Sequence, residues 1–180
     1  VVSNNSLILE ASLQTFFFDQ LESVNQKSQI QLPKETIYYS SLVMDKFGHS
    51  NEYFEVVDGR VREKVLGMKL LESSHLSAGE QKRELKDIGD TALILCGFFS
   101  ESINDKKLLD IKYYREIGQV AYKRLDGLVP SFYDVDCFYK GLSSQFDLLT
   151  NLMQIVQKTH LKSFDQDAVH LIINKTLKAS

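Results

Sequence analysis

The chain has 180 residues, of which 43% are hydrophobic and 25% charged, with a formal net charge of −3. That size and make-up suit one ordinary globular domain and argue against extensive disorder. A slightly acidic chain lacks the basic excess of a general nucleic-acid binder, and no apolar run approaches the roughly 18–20 residues of a membrane span. Neither nucleic acid nor membrane is therefore expected as a partner.

Two prolines and nine glycines leave few breakpoints, which favours helices over many short strands. The expected fold is all-α: a single domain over 1–180, with about seven or eight helices around a central one at roughly Ser77–Ser100. Val1–Ser6 is polar, shows no signal-peptide pattern and is expected to be flexible. From Leu7 to Asn25, apolar residues recur at spacings of three and four, through Leu9, Leu13, Phe16, Phe17, Leu21 and Val24. This predicts a first helix whose apolar face is broad enough to be covered on two sides, either by the domain or by another copy. The Leu7–Asn25 helix is thus the expected surface for a protein partner or self-association.

Pro33 suits the first turn of a second helix running to Phe47, with Ile37, Tyr38, Leu42, Val43 and Phe47 inward and Gly48 as its cap. A short helix capped by Ser50 is expected through Tyr53, Phe54 and Val57. It ends at the Asp58-Gly59 turn signal. The next predicted helix spans Val61–Glu72, with Val61, Val65, Met68 and Leu70 or Leu71 inward.

Ser77-Ala-Gly-Glu80 is a capping-box pattern, and it opens the central helix. The first half of that helix is charged. The second half, Thr91–Phe99, carries no charge and should be buried. Asp110 caps a helix over Ile111–Asp126, with Ile111, Tyr114, Gly118, Ala121 and Leu125 inward and Tyr122 beside them. Gly127 and Pro130 close it. Phe132–Lys158 reads as a long helical stretch with an irregular start near Asp134. Its inward stripe is Phe138, Leu142, Phe146, Leu149, Met153 and Val156. A last helix begins near Ser163.

Candidate chemistry gathers on the central helix. Gly89, Ala92, Cys96 and Ser100 form a small-residue stripe. Gly118 and Ala121 on the following helix let the two approach closely, with a crossing expected near Cys96. Asp87 and Asp90 share a face. Asp87 can stay near the surface. Asp90 stands where the helix turns apolar, so it is the expected buried acid, and such a group must gain hydrogen bonds, a cation or a proton. Tyr113, Tyr114, Tyr122 and the backbone N–H groups of a neighbouring helix start are its expected partners. These five residues, Asp87, Asp90, Tyr113, Tyr114 and Tyr122, are the candidate ligand-binding set, against the alternative that Asp90 simply ties two helices together.

The remaining signals are negative. The histidines lack metal-ligand spacing, no P-loop, dinucleotide or nucleophile-elbow motif occurs, and no cofactor or metal is expected. Cys96 and Cys137 are expected as small core residues in a reducing cytoplasm.

Leu85, Gly89-Asp90, Leu93, Gly97-Phe98-Phe99, Tyr113-Tyr114, Gly118 and Ala121-Tyr122 together resemble a set of uncharacterised bacterial all-helical proteins of unknown function. The resemblance is confined to Leu85–Tyr122. It implies a bacterial origin and a cytoplasmic setting, and it brings no catalytic residue with it. The expected function is a non-enzymatic helical regulatory or protein-interaction module. The alternative is a small-molecule binder or enzyme with a pocket near Asp90, Tyr114 and Tyr122.

Overall fold

The computed structural model describes residues 13–49, 54–57, 60–63, 66–100 and 110–161. The first part of the Leu7–Asn25 helix, the start at 1–6 and the helix from Ser163 lie outside the described residues. Among those described there are seven α-helices: α1 (Leu13–Gln26), α2 (Lys34–His49), α3 (Leu66–Glu72), α4 (Ala78–Phe98), α5 (Ile111–Leu128), α6 (Phe138–Ser144) and α7 (Phe146–Val156). A π-turn, Gln157–Leu161, extends α7. The all-α expectation holds, with two small hairpins added.

α4 is the central helix. Glu80 reaches back to accept the Ser77 N–H at 3.2 Å and the Ser77 hydroxyl at 2.6 Å, so the expected box starts it. Every residue from Ile88 to Gly97 is buried. Residues of that kind in a helix interior can be covered only if other elements surround it. α5 lies antiparallel along one side: Cys96 meets the Ile111 carbonyl, and Asp90 meets Tyr122. α7 covers a second side, where Gln154 donates to the Cys96 carbonyl at 2.9 Å. The expected stripe of α6 and α7, Phe138 through Val156, is buried at all six positions.

The small-residue stripe does bring α4 and α5 together, and Gly118 packs on Ala92, one turn before Cys96. A Cβ at Gly118 would stand 2.8 Å from the Ala92 Cβ and 2.7 Å from the Phe146 ring. A Cβ at Gly89 would stand 2.6 Å from the Tyr122 ring. Glycine costs a helix about 1 kcal/mol relative to alanine. Here the missing side chains are the space that the two rings fill.

Two stretches depart from the expected helices. Phe54–Val57 and Arg60–Glu63 pair as an antiparallel hairpin, β1–β2, with Val56 opposite Val61, so no short helix covers Phe54–Val57 and none begins at Val61. Alternating, β-branched residues either side of Asp58-Gly59 are a hairpin signal, and here it outweighs helical spacing. α3 begins only at Leu66. Its inward residues are Leu66 and Leu70, while Met68 and Leu71 are exposed. In α2 the register also differs from expectation: Tyr39 is buried and Tyr38 is exposed. Neighbouring tyrosines differ by about 100° around a helix, and the apolar spacing alone did not separate them.

The long helix expected from Phe132 instead starts with a second hairpin, β3 (Ser131–Phe132) with β4 (Val135–Asp136). Tyr133 in its turn has φ 49° and Cys137 just after it has φ 54°. Both are left-handed, a region that bulky residues rarely adopt. A chain entering helix at Phe138 through such a residue cannot have been helical before it. Cys137 is also exposed rather than in the core, whereas Cys96 is buried as expected.

Candidate functional site

α4 carries Asp90 into the interior, where it is fully buried. The charged first half of α4 ends at this residue. The carboxylate meets three partners. Tyr39 of α2 donates its hydroxyl to Oδ1 at 2.6 Å. Tyr122 of α5 donates to the same oxygen at 2.9 Å. Lys86, one turn back on α4, places its ammonium 2.7 Å from Oδ2. The same ammonium stands 5.2 Å from the centre of the Tyr39 ring. Both oxygens of the acid are thereby engaged, which is the condition for keeping such a group away from water.

The lysine is a half-exposed side chain, at 42%. Its order on the helix, cation before anion, is the less favourable one for a surface pair. Its contribution therefore comes from delivering charge to a buried oxygen rather than from supporting the helix.

The rings around Asp90 form a continuous aromatic layer. Tyr39 makes edge contacts with Phe132, Phe138, Tyr139 and Tyr122, with centroids 5.2 to 6.3 Å apart. Tyr122 stacks on Tyr139. Burial, and after it the charge of Asp90, raises the Tyr39 pKa well above the ordinary 10.0. The same two causes push Tyr139 up to about 12.

Of the expected set, the structure brings Asp90 and Tyr122 together. Asp87 lies near the surface, with Lys46 at 3.9 Å and Lys69 at 3.8 Å. Tyr114 is buried but sits eight residues from Tyr122, about 12 Å along α5. Tyr113 rests on the Tyr114 ring and lies against Gly67. Neither Tyr113 nor Tyr114 is among the hydrogen-bond partners of Asp90. The residues not foreseen are Tyr39 and Lys86. Lys86 had a signal in its spacing of four from Asp90. Tyr39 is 51 positions away, and nothing local points to it.

Among the described residues, two open grooves stand out, and neither is lined by Asp90 or Tyr122. One, about 270 Å³, is apolar and lies between Phe18, Tyr38, Phe132, Tyr133 and Val135, with Lys34 and Glu35 at its edge. The other, about 330 Å³, is more polar and lies between α5 and α6 along Gln119, Lys123, Ser143 and Ser144. Among the described residues no group of three or more His, Cys, Asp or Glu could hold a metal ion. No described helix is long and apolar enough to cross a membrane. Compared with known proteins, the chain matches no family model, and no match was found among curated proteins or solved structures.

The geometry predicts a graded response at Asp90. Asp90→Asn keeps an acceptor for both phenols and should cost about 1–3 kcal/mol. Asp90→Ala leaves two buried hydroxyls without an acceptor and should cost on the order of 3–5 kcal/mol. Denaturant unfolding curves measure both, and equal costs would contradict the network.

The tyrosines predict an alkaline limit. Their folded pKa values lie above the unfolded value, so their contribution is fully present below pH 10 and is lost as pH rises beyond it. Stability should fall between pH 10 and 12, as read by denaturant unfolding across that range. A flat stability over that range would contradict the burial of Tyr39.

Proposed function

We propose that the protein is a non-enzymatic helical regulatory or protein-interaction module. The observation that carries this reading is the state of Asp90: both oxygens are taken by Tyr39, Tyr122 and Lys86. The Tyr122 ring fills the notch that Gly89 leaves. A carboxylate so engaged serves as a tie between α2, α4 and α5. The alternative, a ligand pocket near Asp90, Tyr114 and Tyr122, would need those partners to give way, and Tyr114 lies too far along its helix to join them.

Support for an interaction role is on the outside. The groove beside Phe132 and Tyr133 is apolar, and Tyr133 is 77% exposed on a left-handed turn residue. Residues held in such sparsely populated conformations cluster at functional sites, which favours a role for this turn. The Leu7–Asn25 helix remains part of the proposal as a contact for a partner or a second copy. Over α1, however, Phe17 packs on Phe98 and Phe18 on Tyr38, so much of the apolar face is already covered by the chain itself. Phe16 keeps partial exposure. The cytoplasmic setting and bacterial origin implied by the Leu85–Tyr122 resemblance belong to the same proposal.

A photo-crosslinking residue at Tyr133, with a control at exposed Lys82, tests the reading in cells. The expected result is a discrete protein adduct from Tyr133 alone, of a second copy or another chain. Ligand-observed NMR with a panel of small carboxylates, amines and nucleotides tests the alternative. A compound that binds the wild type and is lost in folded Asp90→Asn would overturn the interaction reading.

A further inference from the structure

The helix pair α1–α2 is fastened mostly to itself. Gln14 donates to Ser41 at 2.9 Å across the pair. Asn25 closes the connecting loop, donating to the Leu32 carbonyl at 3.0 Å and accepting the Leu32 N–H at 2.8 Å. The two helices pack more extensively on each other than on α4 or α7. The pair's ties to the rest include edge contacts of Phe17 on Phe98 and Phe47 on Phe99, the loose Lys46–Asp87 pair, the Tyr39 ring on Phe132, Phe138 and Tyr139, shared core packing, and the buried Tyr39–Asp90 bond.

The remaining helices also interlock among themselves. α4 and α5 interlock through Gly118, Ala92 and Gly89, and α7 seats Phe146 on the same spot. Asp90 keeps two of its three partners within this body, since Tyr122 lies on α5 and Lys86 on α4. Withdrawal of Tyr39 therefore leaves Oδ1 and Oδ2 each with a donor, and the acid is not stranded. Removing Tyr122 or Lys86 has no such safeguard inside the body.

We propose that α1 and α2 form a strap that opens as one unit from the α4–α7 body, with the Tyr39–Asp90 bond as its latch. Opening uncovers Asp90 together with the faces of Phe138 and Tyr139 on which the Tyr39 ring rests. The strap is a conformational device of this fold and does not depend on which partner or ligand the protein uses. Local opening of this kind has a free energy below that of global unfolding, and amide exchange resolves the two.

Hydrogen exchange read by mass spectrometry on the full chain tests the strap. In the wild type, amides of α1 and α2 should exchange through an opening that residues 85–97 and 114–125 do not share. Tyr39→Phe removes the bond to a charged acceptor while keeping the ring, and should speed exchange in α1 and α2 roughly tenfold or more, leaving α4 and α5 unchanged. Tyr122→Phe, which removes a bond inside the body, should speed exchange in α4 and α5 instead. Equal acceleration of all helices in Tyr39→Phe, or wild-type exchange of α1 and α2 no faster than the body, would overturn the proposal.

Discussion

A carboxylate with no exposure to water governs the interior of this protein. Burying an unpartnered charge is so costly that its surroundings must be arranged around it. Asp90 is supplied by two elements distant in sequence, through Tyr39 on α2 and Tyr122 on α5, and by Lys86 one turn back on its own helix. The positions of α2 and α5 relative to α4 follow in part from that need. A shift of either helix by one residue would turn its phenol away from Oδ1.

Packing around the acid answers the same demand. Gly89 and Gly118 carry no side chain because the Tyr122 and Phe146 rings occupy that volume. Those rings, with Tyr39, Phe132, Phe138 and Tyr139, surround the hydroxyl ends with apolar surface. The low-dielectric setting strengthens each hydrogen bond and makes the loss of any one more costly. Lys86 reaches the network from solvent, its ammonium standing over the Tyr39 ring. The arrangement explains why a charge could be kept in the core: it orients three helices whose apolar faces would otherwise tolerate sliding.

Much of this was legible in the chain. The break between charged and uncharged halves marked α4 as central and Asp90 as the boundary acid. The spacings of Tyr114, Gly118, Ala121 and Leu125, and of Phe138 through Val156, gave the buried faces correctly because period and burial coincide there; Ile111, expected inward with them, is only half-buried at the helix start. Tyr39 was out of reach. It follows a second tyrosine, both fit the stripe of α2, and its contact spans 51 residues. The hairpins were missed for a different reason. Short runs such as Phe54–Val57 satisfy helical and extended patterns alike, and the turn chemistry at Asp58-Gly59 decides between them. At Ser131–Asp136 the left-handed Tyr133 and Cys137 give no warning in residue type, since neither is a glycine or asparagine.

The functional reading rests on the same contact. If Tyr39 and Asp90 are a mutual tie, the acid is structural and the surface carries the activity. A double-mutant cycle on Tyr39→Phe and Asp90→Ala, each of which removes the bond, measures that tie directly when read by denaturant unfolding. The account predicts a coupling energy of about 1–3 kcal/mol between the two sites. Additive effects, with coupling near zero, would mean that Tyr39 and Asp90 do not depend on each other and would contradict the account.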